Sequence, residues 1–285
     1  LRDISGVIQL TLLKKKLDEK QFKNWTNINR ESVVLVRGIV KENKEAPGGV
    51  EMLPDNIELL NEAETPLPLG VIDKIDSEIE TRLNARYMDL RKKDIAAHFQ
   101  IRAAVSGAVH KHLRREKFLE VQTPKIIASA TEGGTSLFEM KYFDRTAYLA
   151  QSPQLYKQIL MGGGLERVYE VGPAFRAEEH NTPRHLNEFT SIDIEMSFAD
   201  DVVVMGVMER LVDSASRAVA KETEALEILD IKPIELELPL PRITYDEAVE
   251  MAKGKAKWGE DLSMEATRAI AEQMNGFYFI TKWPL

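Results

Sequence analysis

The segment FRAEEHNTPRHLNEF, residues 175–189, brings Arg176, Arg184, His180 and His185 together with Glu178, Glu179 and Glu188. Charge of both signs at that density suits a metal cluster, a solvated surface loop, or a clamp for a polyanion such as a nucleoside triphosphate. Spacing argues against the first: the two histidines are five apart, no HExxH is nearby, and the chain has no cysteine. A glycine-rich phosphate loop fails too, because Gly162–Gly164 runs into Leu165-Glu166-Arg167 rather than Gly-Lys-Ser/Thr. That glycine run reads better as a helix stop. Phosphates would then be held by side-chain cations, and the planar fork of arginine grips two oxygens at once.

The loop lies between two strand-like stretches, VYEVGPAF (168–175) and NEFTSIDIEMSF (187–198). Side chains alternate across a strand, so parity sorts them. Tyr169, Val171, Pro173 and Phe175 share one face, as do Ile192, Ile194, Met196 and Phe198. Glu170, Gly172, Ala174 and Arg176 face the other way, as do Ser191, Asp193, Glu195 and Ser197. If the strands pair, one face is apolar and the other small and charged. A half-exposed sheet with a wet polar side would give the same alternation. Gly172 and Ala174, however, would open a floor for a bulky ligand, and Arg176 with Asp193 and Glu195 would offer it both charge signs.

These residues need elements to position them. Upstream of the hairpin the pattern is strand TAYLA (146–150) and helix QLYKQILM (154–161); a helix from about Asp200 to Glu222 follows it. A long helix is predicted from Lys92 to about Lys117, with Ile101, Val105, Val109 and Leu113 recurring on one face. FLEVQTPKII after it is extended and interrupted by Pro124. Consecutive strands with short loops and flanking helices imply an α+β fold with an antiparallel sheet. Residues 1–64 are mostly β, with VIQLTLL (7–13), SVVLVRGIVKE (32–42), GVEMLPDNIELL (49–60) and a polar helix at roughly 17–24, which suggests a small barrel of the OB type. The prolines and charges of 65–91 mark a linker, leaving 92–285 as the second domain.

The balance of 38 basic and 46 acidic residues, a formal charge of −8, argues against a generic polycation coating nucleic acid, though not against local basic patches. No apolar run approaches the roughly 20 residues that span a bilayer, so no membrane partner is expected. No secretory leader is visible, which favours the cytosol. Leu1 in place of methionine, and an end at FYFITKWPL, lead us to expect a longer parent protein.

FRAE (175–178), RHLNEF (184–189) and the IDIEMSF strand together closely resemble motif 2 of the class II aminoacyl-tRNA synthetases. EVQTP (120–124) is similar to their motif 1. QSPQLYKQ (151–158) with TEGGTSLFE (131–139) resembles the aspartyl branch, and TRLNARYMDLR (81–91) with KENKEAPGGVEMLP (41–54) looks like the hinge and anticodon domain of its archaeal/eukaryotic type. The matches cover nearly the whole chain in order. The resemblance implies an OB-fold anticodon domain before an antiparallel six-stranded catalytic sheet, working as a homodimer with Pro124 at the interface. It also implies that aspartate is activated with ATP and Mg²⁺, then transferred to the 3′ end of tRNA-Asp, with tRNA-Asn as an open second substrate.

Carried over residue by residue, the resemblance implies that Arg176 bridges the α-phosphate and the aspartate carboxylate. Glu178 would accept from the adenine amino group, Phe189 would stack on the ring, and His185 would reach the outer phosphates. Glu179 to Thr182 would meet the tRNA acceptor end. Lys157 would bind the aspartate side chain, while Glu132, Gln154 and Asp193 hold its ammonium. Taken alone, Lys157 reads as an ordinary surface lysine. Gln9 matches the position that reads the middle anticodon base, against the alternative of an ordinary polar strand residue. Lys14 to Lys16 suit tRNA phosphates or a solvated face equally. The glycine-rich motif 3 with its arginine, the acidic Mg²⁺ ligand and a second arginine for aspartate are expected beyond Leu285. Two alternatives stand beside aspartate–tRNA ligation: the asparaginyl enzyme, and a non-catalytic RNA-binding paralogue.

Overall fold

The computed structural model describes residues 1–71, 77–128, 137–178, 186–274 and 276–284. It divides into two compact units, Leu1–Lys92 and Lys93–Leu285.

The first unit is organised by a long hairpin. Strands β1 (Arg2–Asp3), β2 (Gly6–Val7) and β3 (Gln9–Leu10) precede helix α1 (Glu19–Thr26) and the hairpin strands β4 (Val33–Glu42) and β5 (Val50–Asn61). The α1 start is set by a capping box, in which the Asp18 carboxylate accepts from the Gln21 N–H at 2.7 Å and the Gln21 side chain reaches back to the Asp18 N–H. Gly48 (φ 77°) and Gly49 (φ 74°) supply the left-handed backbone of the β4–β5 turn. A bulge between Arg37 and Gly38 brings the strands so close that a Cβ on Gly38 would lie 2.2 Å from the Leu53 carbonyl oxygen.

These strands form a three-stranded sheet in the order β3-β5-β4 and a separate β1-β2 pair; the closed barrel expected from the sequence is not seen among the described residues. The expected single strand over 7–13 is broken at Ile8, whose N–H donates to the Leu1 carbonyl, and only Gln9 and Leu10 pair with β5, in parallel. The stretch read as a linker holds two short helices, α2 (Ile79–Asn84) and α3 (Arg86–Asp89). Leu69, Ala85 and Met88 bury a small cluster there. Beside it Asp89, fully buried, is held by Arg82 at 3.0 Å, by Arg86, and by Lys92 at 3.7 Å. Burial opposes its ionisation, yet those cations keep its carboxyl below the ordinary value.

The second unit opens with the 23-residue helix α4 (Lys93–Arg115). It continues through β6 (Leu119–Glu120), β7 (Ile126–Ile127), β8 (Glu139–Tyr142), β9 (Arg145–Leu149), α5 (Gln154–Gly162), β10 (Arg167–Phe175), β11 (Glu188–Met196), α6 (Asp201–Val219) and α7 (Thr223–Leu229). β12 (Arg242–Thr244), α8 (Tyr245–Met251), α9 (Met264–Ala271) and β13 (Phe279–Thr281) complete it. Asp200 caps α6, its carboxylate accepting from the Val203 N–H at 2.9 Å. The core joins Val109 and Leu113 of α4, Phe118, Tyr169 of β10, and Val207 and Leu211 of α6, with Val171, Ile194 and Met196 packed on it. Burying such side chains contributes about 1.5–3 kcal/mol each, which anchors the apolar face of the β10–β11 hairpin to two helices.

β10 and β11 pair antiparallel, as the sequence predicts, but β6 joins the other edge of β10 in parallel, so the sheet is not purely antiparallel. The sequence also predicts that Phe198 extends the apolar face. It does not: the Ser197 N–H makes a last in-register bond to the Glu166 carbonyl, the ladder ends there, and Phe198 turns off the strand at φ 56° with 95% of its surface exposed. Among the described residues no helix is long and apolar enough to cross a membrane.

Candidate active site

Register decides which side chains share the floor. Ala174 pairs with Phe189, Gly172 with Ser191, Glu170 with Asp193 and Val168 with Glu195, so these eight side chains lie on the face opposite Tyr169, Ile194 and Met196. The parity reading therefore holds in three dimensions. Gly172 and Ala174 are buried, and a Cβ on Gly172 would meet the Glu170 Oε1 at 3.2 Å.

Helix α5 stands at one end of this floor. The Ser152 hydroxyl accepts from the Gln154 N–H at 3.1 Å at its start, and Gly163 with Gly164 (φ 89°) ends it. Gln154 and Lys157 are three residues apart and so share a helix face. Lys157 is 2% exposed, far from the surface lysine that its sequence position alone suggests. Its ammonium donates to the Ile194 carbonyl at 3.1 Å and to Asp193 Oδ1 at 3.4 Å, and lies 3.6 Å from Glu195 Oε2. Gln154 Nε2 donates to the same Glu195 oxygen at 3.2 Å, and the Ser191 hydroxyl donates to Asp193. Gln154, Lys157 and Asp193 thus come together, with Glu195 between the helix pair. Two carboxylates already balance the buried ammonium, so it is paired even without a ligand.

Arg176 and Phe189 meet at the other end. The Arg176 N–H donates to the Asn187 carbonyl at 3.0 Å, continuing the hairpin pairing, and its guanidinium sits 5.3 Å from the Phe189 ring centroid. The Glu178 N–H bonds the Arg176 carbonyl at 2.8 Å, turning the chain as it leaves the strand. Phe189 and Asp193 are four positions apart along β11, about 13 Å at the rise of a strand. Glu132, Glu179, Thr182 and His185, together with His180, lie outside the described residues.

Two predicted positions belong to other elements. Gln9 is exposed on β3, its Nε2 donating to Thr11 Oγ1 at 3.3 Å. Pro124 is exposed between β6 and β7, with Ile126 beside it also exposed. Among the described residues no group of three or more histidine and carboxylate side chains is arranged to hold a metal.

Sequence reasoning found the face of Glu170 but missed its role. Glu170 is 1% exposed and accepts from the Thr123 N–H at 3.1 Å, the Thr123 hydroxyl at 2.7 Å and Lys125 at 2.8 Å. It pins the segment around Pro124 to the floor strand. A second clasp holds β6: the Tyr169 hydroxyl at 2.9 Å and the Arg114 guanidinium both donate to Glu120. The Arg114 bond first, then that of Tyr169, keeps the Glu120 carboxyl below its ordinary value. A carboxylate inside an otherwise apolar strand, as in VYEV, was the one signal available for Glu170.

Residues 78–285 match the family described as tRNA synthetases class II (D, K and N), and the chain belongs to that family. It is similar over its whole length to the aspartate–tRNA(Asp/Asn) ligase of Archaeoglobus fulgidus, at 53% identity and covering 67% of that protein. The aspartate–tRNA(Asp) ligase of Thermoplasma acidophilum is 49% identical, again over the whole chain and 67% of the relative. Among solved structures, the asparaginyl-tRNA synthetase of Pyrococcus horikoshii complexed with asparaginyl-adenylate superposes with a TM-score of 0.89 at 32% identity, over 100% of this chain and 66% of that one. The chain therefore spans about two thirds of the length of the relatives it matches.

Proposed function

We propose that this chain is the larger part of an aspartate–tRNA ligase, in which the β10–β11 floor binds aspartate and ATP and joins them as aspartyl-adenylate. The observation that carries this reading is the polarity of the floor. A buried ammonium with its carboxylates sits at one end, and an arginine over an aromatic ring at the other, roughly 13 Å apart along one strand. That span suits an amino acid joined through a phosphate to a nucleoside.

In the reaction an oxygen of the aspartate α-carboxylate attacks the α-phosphorus of ATP and pyrophosphate leaves. Arg176 bridges the α-phosphate and the carboxylate and stabilises the negative charge that builds on the pentavalent centre. Phe189 stacks on adenine, Glu178 accepts from its amino group, and His185 reaches the outer phosphates. Asp193, Gln154 and Glu132 receive the substrate ammonium, while Lys157 donates to the side-chain carboxylate. The terminal tRNA hydroxyl then attacks the activated carbonyl and AMP leaves, with Glu179 and Thr182 near the acceptor end. Mg²⁺ accompanies the ATP phosphates; no described residue is assigned to it.

The first unit is read as an OB-type anticodon domain with Gln9 facing the middle base, since an amide can read the edge of an unpaired base. The second unit contains the catalytic sheet of the class II fold, Pro124 lies at the interface of a homodimer, and the enzyme works in the cytosol. Aspartate is favoured over asparagine because an ammonium only donates, and a carboxylate offers it two acceptors where an amide offers one. The curated relatives at about half identity, named for aspartate, support the same choice.

Lys157→Ala is expected to lower aspartate-dependent ATP–pyrophosphate exchange by about 10³-fold or more in the full-length polypeptide. Exchange retained at low aspartate would overturn the reading. Charging tRNA-Asp and tRNA-Asn side by side defines the second substrate.

A further inference from the structure

We propose that Glu195 is a positioning residue that fixes the hydrogen-bond polarity of Gln154, turning a two-ended amide into a dedicated acceptor for the α-ammonium of the amino-acid substrate. The proposal rests on the reading of this floor as an amino-acid pocket and assigns to it a residue with no role so far.

A glutamine side chain ends in a carbonyl oxygen that accepts and an NH₂ that donates, and the two ends have nearly the same shape. Unless something selects between them, Gln154 presents a donor as readily as an acceptor. An ionised carboxylate selects, because it only accepts. Glu195 Oε2 lies 3.2 Å from Gln154 Nε2 and 3.6 Å from the Lys157 ammonium. The NH₂ end is therefore committed to Glu195, and the carbonyl end is turned away from it. In the reversed orientation two acceptors would face each other at Glu195, and the NH₂ would confront the substrate ammonium.

The surroundings of Glu195 leave it free for this task. Its cross-strand partner is Val168, fully buried and without a polar side chain. Its partners come instead from α5, where Gln154 and Lys157 project one turn apart. Lys157 is also anchored by the Ile194 carbonyl at 3.1 Å and by Asp193 at 3.4 Å, so the ammonium has two holds besides Glu195. The arrangement separates the work of two neighbouring carboxylates: Asp193 faces ligand and lysine, while Glu195 sets the amide.

The test is steady-state pyrophosphate exchange in the full-length polypeptide with E195Q, Q154E and the exchanged pair Q154E/E195Q, each checked for an unchanged melting temperature. E195Q is expected to raise the aspartate KM about tenfold or more, with the ATP KM and kcat within about threefold of the parent. Q154E alone sets two carboxylates against each other and raises the aspartate KM likewise. The exchanged pair retains one donor–acceptor contact with its direction reversed and keeps an acceptor toward the ammonium, so its aspartate KM should return to within about threefold of the parent. An unchanged aspartate KM in E195Q overturns the proposal. So does a parallel loss in aspartate KM, ATP KM and kcat, or an exchanged pair no better than either single variant. A parent that shows no aspartate-dependent exchange overturns the proposed function itself, and the positioning role with it.

Discussion

Glu170 and Lys157 carry opposite charges into the same dry floor, and each is tolerable only because of its donors or acceptors. Glu170 has three donors, from the Thr123 backbone, the Thr123 hydroxyl and Lys125. Removing the carboxylate strands the Thr123 N–H and leaves Lys125 to turn toward solvent. Glu170→Ala is therefore expected to cost about 2–3 kcal/mol, read as a lower urea midpoint, with Glu170→Gln losing less. An unchanged midpoint would show that the segment around Pro124 is held by other contacts. Parity along the strand was enough to put Glu170 beside Gly172 on the charged face. Its partner Thr123 lies 47 positions earlier in the chain, and no local pattern connects the two.

At the scale of elements, β3 is the weakest member of its sheet, since it has only two ladder residues, Gln9 and Leu10. A side-chain clasp supplements it: the Thr11 hydroxyl donates to Glu51 of β5 at 2.6 Å, and Lys41 of β4 reaches the other oxygen at 3.0 Å. Thr11 first, then Asn43 and Lys41, hold the Glu51 carboxyl down from its ordinary 4.5 to about 2. A folded-state pKa below the unfolded one means that the contribution is fully present above pH 4.5 and disappears as pH falls toward 2. Hydrogen exchange at the β3–β5 amides should accelerate across that window in the parent and show little pH step in Glu51→Gln. A parent with no step would separate β3 docking from Glu51. The long strands β4 and β5 were legible from their β-branched runs and the Pro-Gly-Gly turn. The break at Ile8 was not, because nothing in VIQLTLL marks which residues find a partner strand.

For the molecule as a whole, the proposed function divides the work between the two units. On that reading exchange draws on the second unit and not on Gln9, whereas charging also needs the tRNA to be chosen. Gln9→Ala is expected to reduce kcat/KM for charging tRNA-Asp by about tenfold while exchange stays within about twofold, because one lost base-edge contact is worth roughly 1–3 kcal/mol. Equal losses in both assays would remove Gln9 from tRNA recognition. Helices α2 and α3 bear on the same scale. A stretch that reads as a charged linker is built around buried Asp89 and its three cations, so the end of the first unit is a packed element.

Much about this chain was determined by sequence alone: the paired strands around the charged loop, the small residues on one of their faces, and the ordered motifs that mark the family. These are local or periodic properties, set by two-residue alternation, glycine placement and the identity of a few side chains. Other properties were decided only in three dimensions. Lys157 is buried and already paired, Glu195 grips Gln154, Glu170 anchors the segment around Pro124, and β6 runs parallel to β10. Each depends on residues far apart in the chain arriving at hydrogen-bonding distance. Burial then makes the choice of partner costly to change, because an unpaired charge inside the floor has no water to fall back on.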